Sequence, residues 1–329
     1  MSITTNDLAK LCGVSRTTVI RALNNTGRIN DTTKEMILQT AKEQGYKPDL
    51  LARSLAKGRT YTIGMLVLDS KNRYFAQMIS AVSAEAEKHG YGVNINLHNN
   101  DPKKEIEKLR RMAAYKMDGI ILSSINEGQE YVDFLRELDI PIVSVDNCIG
   151  EGIPFVDISQ RKAMKGATEA VIAREYKKLV FVCPPIKGNP NENVYVHKKR
   201  LEGFNQVVSK HKKIKVDYLL DWSYLEQISK MDVPKDMAFV CTSDEIALEI
   251  MMLLKERGMV AGKDYGLHGF DAIDTLKYIT PSLNSVNNNV EIVAHEAMKL
   301  LLKLIEDRDS VPADKRVIVP FSLIDGETI

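Results

Sequence analysis

The chain of 329 residues lacks the long apolar run of a membrane-spanning helix, and its N-terminal residues show no charged stretch followed by an apolar core. These absences predict a cytoplasmic protein that does not enter a membrane. With 44% hydrophobic and 27% charged residues, the composition is that of a globular protein. The length suits a small domain followed by a large two-lobed one.

Cysteine is scarce, and histidine is scattered. The four cysteines, Cys12, Cys148, Cys183 and Cys241, show no CxxC spacing, which favours reduced, buried thiols over disulfides or zinc. The six histidines have no metal-ligand spacing, and no GxGxxG, GxxxxGK(S/T), GxSxG or HExxH motif occurs. We therefore expect no cofactor, no metal and no catalytic residue. An enzyme remains the first alternative, because repeated α/β units often carry catalytic sites.

The net charge of +1 is unevenly distributed along the chain. Residues 1–59 contain ten Lys and Arg against five Asp and Glu, a balance of +5, so the remaining residues sum to −4. A basic N-terminal segment on a slightly acidic body suits attraction of phosphate groups at one end of the protein.

Residues 7–24 have the pattern of a helix-turn-helix. Gly13 supplies the turn, where a left-handed backbone carries no Cβ penalty, and Ser15 caps the second helix. The apolar positions expected to pack between the helices are Leu8, Ala9, Leu11, Val19, Ala22 and Leu23.

The opposite side of the second helix carries Thr17, Ile20, Arg21 and Asn24. Arginine suits guanine, asparagine suits adenine, and an apolar side chain suits the thymine methyl, so this side predicts contact with DNA bases. The alternative is an ordinary helical hairpin with a solvated face.

A third helix, capped by Asn30 or Asp31 and ended by Gly45, completes a predicted head of residues 1–46. Its expected packing positions are Met36, Ile37, Leu38 and Ala41.

Residues 47–59 predict a hinge with one short helix, whose apolar side holds Leu51, Ala52 and Leu55. Such a helix is marginal in water and needs a partner, either a second subunit or the minor groove of DNA. Leu55 is the candidate for a wedge between base pairs, and packing on the chain's own body is the alternative.

From residue 60 onward, apolar strands alternate with amphipathic helices, which is typical of parallel sheets covered on both faces. The expected strands are residues 62–68, 93–97, 119–122, 142–145, 179–183, 218–220, 238–241 and 266–269. The expected helices include residues 75–88, 103–115, 163–174, 244–257 and 290–305.

The order of these elements predicts an α/β body of two lobes, joined near residues 156–159. Residues 284–289 and a last strand over residues 316–323 cross between the lobes again. The first lobe then holds about residues 60–157 and 287–317, and the second about residues 158–286 and 318–329. A ligand is expected between the lobes, beyond the carboxyl ends of the strands.

Several motifs in this order are similar to those of the lactose-repressor (LacI/GalR) family of bacterial transcription regulators. The head shows Asp7-Leu-Ala-Lys-Leu-Cys-Gly-Val-Ser15, then Thr18-Val19, Arg21 and Leu23-Asn24. The hinge shows Gly45-Tyr46, Pro48, Ala52-Arg53 and Leu55. The body shows Gly64, Tyr74-Phe75-Ala76, Asp118-Gly119-Ile120-Ile121, Arg200-Leu201, Gly203-Phe204, Gly269-Phe270-Asp271, Tyr278, Pro281, Leu283 and Val286. The resemblance covers the chain essentially from end to end and implies a body like that of periplasmic binding proteins.

The resemblance implies a homodimer that places two recognition helices in successive major grooves of a palindromic operator in double-stranded DNA. It assigns base reading to Arg16, Thr17 and Arg21, and phosphate contacts to Thr5, Ser15, Thr18 and Asn24. Paired hinge helices, here with Ala52 and Leu55, would enter the minor groove. Ile20 stands where the family usually has serine and Asp49 where asparagine is common, and we hypothesise that Ile20 contacts a thymine methyl.

The same resemblance implies a sugar-like effector in the cleft and a repressor of carbohydrate-utilisation genes. The effector-binding candidates it places there are Arg73, Tyr74, Phe75, Asp146, Arg200, Trp222, Asp244 and Asp271. Carboxylates and a guanidinium suit paired hydroxyls, and an aromatic face covers the C–H side of a sugar. For Trp222, the alternative is a partly buried packing residue.

The basic residues Arg73, Lys198 and Lys199 adjoin these candidates, so we hypothesise an effector with an acidic group. A solvated surface cluster is the alternative.

A transport-type sugar-binding protein is the second alternative for the whole chain, and it would need export. The sequence leaves open whether the effector releases or tightens DNA binding. The absence of a C-terminal heptad segment favours a dimer over a tetramer.

Overall fold

The computed structural model describes residues 3–47, 58–186 and 192–329. The chain divides into two compact units, Met1–Thr60 and Tyr61–Ile329. The first is called the head here and the second the body.

The head contains three helices, α1 (Thr5–Cys12), α2 (Arg16–Asn24) and α3 (Asp31–Glu43). Each begins at a side-chain cap, because the first N–H groups of a helix have no partner within it. Thr4 and Asp7 form a reciprocal capping box on α1, Ser15 accepts from the Thr18 N–H on α2, and Asn30 accepts from the Thr32 N–H on α3. Asn30, and not Asp31, is therefore the third cap.

The head core is formed by Leu8 and Ala9 of α1, Val19 and Ala22 of α2, and Ile37 and Ala41 of α3. The prediction was wrong for Leu11, which is 58% exposed, and for Met36 and Leu38, which are also exposed. Positions four apart share a helix face, so Ile37 and Ala41 define the buried side of α3. Residues 36 and 38 are rotated away from that side by about 100° each.

The first lobe of the body is built on a six-stranded parallel sheet. Its early elements are β1 (Thr62–Val67), α4 (Arg73–Lys88), β2 (Gly92–Leu97), α5 (Pro102–Ala114), β3 (Gly119–Leu122), α6 (Gln129–Glu137), β4 (Ile142–Val145) and β5 (Phe155–Ile158). The strand order is β11-β5-β4-β3-β1-β2, and β1, β3, β4 and β5 are almost entirely buried.

The second lobe is built on a four-stranded parallel sheet of order β7-β6-β8-β9. Its elements are α7 (Gln160–Ile172), β6 (Lys178–Val182), α8 (Tyr195–Val208), β7 (Lys215–Leu219), α9 (Tyr224–Ser229), β8 (Met237–Cys241), α10 (Asp244–Glu256), β9 (Gly266–His268) and the 3-10 turn Asp274–Tyr278. Helices α7 and α8 can pack closely because Gly203 has no side chain. A Cβ at this position would lie only 2.3 Å from the Arg161 carbonyl oxygen.

The remaining elements are β10 (Ser285–Asn287), α11 (Val290–Glu306), the 3-10 turn Arg308–Ser310, β11 (Arg316–Val319) and β12 (Ser322–Ile324). The predicted continuous strand over residues 316–323 was wrong. It is two strands: β11 lies parallel to β5 in the first sheet, and β12 pairs antiparallel with β10. Pro320 lies between them and has no N–H to continue a ladder.

All four cysteines are free, and Cys148, Cys183 and Cys241 are buried. Among the described residues, no helix combines the length and the apolar character required to span a bilayer.

Candidate functional site

The outward side of α2 presents the predicted base-reading residues together. Arg16, Thr17, Ile20, Arg21 and Asn24 are all exposed. The geometry thus separates them from the buried side of the same helix, where Val19 and Ala22 lie in the head core.

The N-terminal ends of α1 and α2 are held beside each other. The Arg16 Nε donates to the Thr5 hydroxyl at 3.3 Å, which links the two helices. The Ser15 hydroxyl lies 2.9 Å from that of Thr18 and caps α2. Unsatisfied N–H groups at helix N-termini attract phosphate, so this edge of the head is suited to a nucleic-acid backbone.

Arg21 is positioned by the turn that follows α2. Gly27 has φ 74°, and a Cβ there would lie 3.3 Å from the Arg21 Cδ. Glycine therefore serves two purposes at this position: it permits the left-handed backbone and it leaves space for the arginine stem. The hinge candidates Ala52 and Leu55, as well as Asp49, lie outside the described residues.

The body contains a cavity of about 1200 Å³ between its two lobes. Its lining comes from chain segments that follow the carboxyl ends of strands in both sheets, where parallel α/β folds bind ligands. These are Asp69 after β1, His98 after β2, Ser123 and Ser124 after β3, Asp146 and Asn147 after β4, Gln160 after β5, Pro184 after β6, Trp222 after β7, Thr242 and Ser243 after β8, and Asp271 after β9.

Six of the eight predicted effector residues line this cavity: Tyr74, Phe75, Asp146, Arg200, Trp222 and Asp271. The Tyr74 hydroxyl donates to Asp146, and Arg200 Nη2 lies 3.4 Å from an Asp271 oxygen. Trp222 is 69% exposed, so it is not a buried packing residue but presents its ring at the cavity wall.

Asp244 does not line the cavity. It is fully buried at the start of α10, where its two oxygens accept from the Ser285 hydroxyl at 2.6 Å and the Ile273 N–H at 2.9 Å. Its side chain therefore fastens the segment after β9 to the crossing strand β10. The sequence prediction placed Asp244 in the cavity because a carboxylate at the start of a helix can either bind a ligand or hydrogen-bond to a neighbouring loop, and the sequence does not distinguish the two roles.

Arg73 is likewise directed away from the cavity lining. Its guanidinium makes a bidentate pair with Asp274, with both N–O distances at 2.6 Å. Lys198 lies 3.6 Å from Glu127, and Lys199 lies 2.7 Å from Glu202. Each of the three basic residues on which the acidic-effector hypothesis rests is therefore paired with a carboxylate. They do not form an anion site in the cavity.

Residues that the sequence analysis missed add mainly polar and acidic groups to the cavity. They include Asp69, Lys71, Asn72, His98, Ser123, Gln160, Asn193, His197, Thr242, Glu245 and Glu249. The available signal was position, since several follow strand ends directly. The acids are not individually distinctive, because exposed Asp and Glu are common anywhere on a surface.

Burial governs the ionisation of the deepest groups. Burial raises the pKa of Asp271 to about 7, although Arg200 opposes the rise. Burial lowers the pKa of His197 to about 3, with a further contribution from Arg200. His197 is therefore neutral near pH 7 and is not a cation, and its buried Nδ1 has no hydrogen-bond partner.

Two family profiles match this chain. The profile for "Bacterial regulatory proteins, lacI family" matches residues 4–49, and that for "Periplasmic binding proteins and sugar binding domain of LacI family" matches residues 60–321. The chain belongs to the LacI family. This LacI-family protein is a DNA-binding transcription regulator and not an enzyme.

Relatives of similar length support the assignment. Catabolite control protein A of Priestia megaterium is 26% identical, with 92% of each chain covered. The HTH-type transcriptional regulator RegA of Clostridium saccharobutylicum is 29% identical, with 94% of each chain covered. The HTH-type transcriptional repressor PurR of Vibrio atlanticus is 29% identical over 95% of this chain and 94% of its own.

Solved structures share the fold of this LacI-family regulator. The lac repressor dimer bound to operator and the anti-inducer ONPF has a TM-score of 0.87 at 20% identity, covering 100% of this chain and 99% of that chain. The CelR–cellobiose complex has a TM-score of 0.68 at 21% identity, covering 99% of each chain.

Proposed function

We propose that this LacI-family regulator is a repressor of carbohydrate-utilisation genes, controlled by a sugar-like effector in the cavity between the lobes. The observation that carries the proposal is the cavity lining. Polar groups from both sheets face one space, beside the aromatic rings of Phe75 and Trp222. Hydroxyl-rich ligands need such paired donors and acceptors with an apolar surface for their C–H groups. The solved complexes of fold relatives with cellobiose and with D-xylulofuranose are consistent with this ligand class.

An effector that contacts both lobes can control their relative arrangement, because a ligand shifts a conformational equilibrium by its differential affinity for the two states. The lobes touch at several places beside the cavity, and two hydrogen bonds illustrate these contacts. The Asp274 N–H donates to Gln77 at 3.0 Å, and the Asn193 N–H donates to the Ile125 carbonyl at 2.6 Å. We infer that effector binding strengthens or breaks these contacts, and the sign of its effect on DNA binding decides between co-repressor and inducer.

For the DNA we propose a palindromic operator bound by a homodimer in the bacterial cytoplasm, as the operator-bound lac repressor dimer among the fold relatives suggests. Arg16, Thr17 and Arg21 would read bases, and Ile20 would contact a thymine methyl. The phosphate contacts fall to Thr5, Ser15, Thr18 and Asn24, and the minor-groove contacts to Ala52 and Leu55.

The decisive experiment selects bound DNA from a random pool with the full-length protein, with and without a panel of sugars. We expect one palindromic sequence and at least one sugar that changes its affinity at least about 10-fold, which is about 1.4 kcal/mol of coupling. A random output, or a palindrome insensitive to every sugar, would contradict the DNA proposal or the effector proposal respectively.

Variants test the reading face of α2. Arg21→Ala should weaken operator binding about 10- to 100-fold and relax the preference at one base position, because a bidentate base contact is lost. Lys42→Ala removes an exposed cation of α3 and serves as the matched control. Ile20→Ser should change the selected base at one position, and an unchanged selection would rule out the thymine contact.

A further inference from the structure

Buried acidic side chains outnumber basic ones in and next to the deep part of the cavity, which Asp146 and Asp271 line and Asp157 and Asp244 do not. Four buried carboxyl groups, Asp146, Asp157, Asp244 and Asp271, lie close enough to influence one another, and each is at most 7% exposed. In the described part of the chain, Arg200 is the buried cation among them. Even if one carboxylate is assigned to Arg200, the group keeps an excess of acids.

Arg200 is already engaged by its own protein. Its Nε donates to the Gln160 side-chain oxygen at 2.8 Å, and Nη1 donates to the Thr242 carbonyl oxygen. Its guanidinium stacks on Phe270, 3.7 Å from the ring centre. Asp271 is the carboxylate that receives its remaining bond, so Arg200 offers little to a ligand anion or to Asp146.

Buried carboxylates without cations are costly, and a protein lowers that cost by protonation or by binding a positive group. Burial raises the pKa of Asp146, and burial together with the charge of Asp146 raises that of Asp157 well above its usual range. Burial therefore favours the protonated form of these two carboxyls when no positive group is bound. A ligand that brings its own positive charge favours the ionised form instead.

Besides Nδ1 of the neutral His197, two buried polar atoms of the described cavity lining have no hydrogen-bond partner. One is Asp146 Oδ2, while Oδ1 accepts from the Tyr74 hydroxyl. The other is the hydroxyl oxygen of Thr242, a residue that is fully buried. Both residues line the cavity, so these atoms point to a ligand group that donates hydrogen bonds.

The occupant that fits is an organic cation. No group of three or more His, Cys, Asp or Glu arranged to hold a metal ion occurs among the residues the structure describes. The described outer lining adds Asp69, Glu192, Glu245 and Glu249 against one further cation, Lys71. This balance of charge disfavours phosphate or carboxylate substituents on the ligand.

We propose that the effector is an aminated sugar whose ammonium group binds at Asp146 and Thr242. This rests on the proposed control by a sugar-like effector and names its chemical class. The hydroxyl groups of the sugar bind the polar side chains that line the cavity from both lobes. The ammonium group supplies the positive charge that balances the buried carboxyls. A neutral sugar of the same shape fills the same space but leaves that charge absent.

Calorimetry on the full-length protein with matched sugar pairs tests the proposal: D-glucosamine against D-glucose, D-galactosamine against D-galactose, and D-mannosamine against D-mannose. We expect at least one amino sugar to bind at least about 30-fold more tightly than its hydroxyl counterpart, since hydrogen bonds to charged groups are roughly twice as strong as neutral ones and lie here in a buried site. Asp146→Asn should lower the amino-sugar affinity at least about 10-fold and change that of the hydroxyl sugar less than about 3-fold.

Asp157→Asn is the second variant, because it removes a neighbouring carboxyl without removing a cavity-lining group, and it should lower the amino-sugar affinity by a smaller factor. Asp236→Asn makes the same chemical change at an exposed carboxylate near Lys177 and should leave both affinities unchanged. If a neutral sugar binds as tightly as its amino counterpart and changes operator affinity, the amine proposal fails while the proposed function stands. If no sugar of either kind binds, both fail.

Discussion

Replacing Asp271 by Asn should make the body progressively more stable than the wild type as the pH rises. Asp271 is only 7% exposed. Burial raises its pKa from the ordinary 3.8 to about 7, although Arg200 and Asn288 lower it. A carboxyl whose pKa is raised by folding binds its proton more tightly in the folded state. Its stabilising contribution is therefore complete below about pH 4 and is lost as the pH rises to about 7.

The expected size follows from the two pKa values. The interval between 3.8 and about 7 corresponds to about 4 kcal/mol at the upper limit. The neutral amide of Asn mimics the protonated carboxyl and cannot ionise. Asn also tolerates the backbone at this position, where φ is 111°.

The assay is urea unfolding of both proteins, followed by far-UV circular dichroism at several pH values between about 4.5 and about 8. Burial lowers the pKa of His197 and of His268, which makes stability rise with pH between about 4 and about 6.5, but these contributions are common to both proteins and cancel in the difference. The difference should rise by about 1.4 kcal/mol per pH unit at its steepest. A flat or falling difference would show that the attraction of Arg200 outweighs burial, and it would refute the reasoning.

Three further variants test packing and charge. Gly203→Ala should destabilise the body by about 1–3 kcal/mol, because its Cβ would meet a backbone carbonyl of α7 at 2.3 Å, whereas Gly166→Ala on α7, with its nearest atom at 3.7 Å, should be neutral or stabilising in the same urea assay. Leu8→Ala should cost about 2–5 kcal/mol in the small head core and abolish operator binding while leaving effector calorimetry unchanged. Arg73→Ala breaks a half-exposed ion pair with Asp274 and should change the free energy of unfolding by less than about 1 kcal/mol. If this variant lost affinity for acidic sugars alone, that result would contradict the placement of Arg73 outside the cavity.

Local signals in the sequence were sufficient for the fold class and for the division of α2 into a buried and an exposed side. Strict caps and a turn glycine define α2, so the sides that hold Val19 and Arg21 follow from helical periodicity. Alternation of apolar strands and amphipathic helices likewise predicted the parallel sheets, and most strands differ from the expected ones by a few residues at their ends. The sequence missed β5, which lies where only the join of the lobes was expected, and it merged β11 and β12 into one strand. Six predicted effector residues line the cavity. Asp146, Trp222 and Asp271 follow strand ends, which converge at one edge of each sheet, and the other three lie on helices α4 and α8.

The tertiary structure determines which side chains from distant parts of the sequence come into contact, and with them the charge of the cavity. Arg73, Lys198 and Lys199 read as a positive cluster in the sequence, but folding brings each a carboxylate and removes that charge from the site. The cavity instead derives its acidic character from residues scattered over the chain between Asp69 and Asp271. Sequence by itself determines how each segment folds, because propensity and periodicity are local. Electrostatic character depends on burial and on pairs of residues far apart in the chain, and those exist only once the lobes are formed.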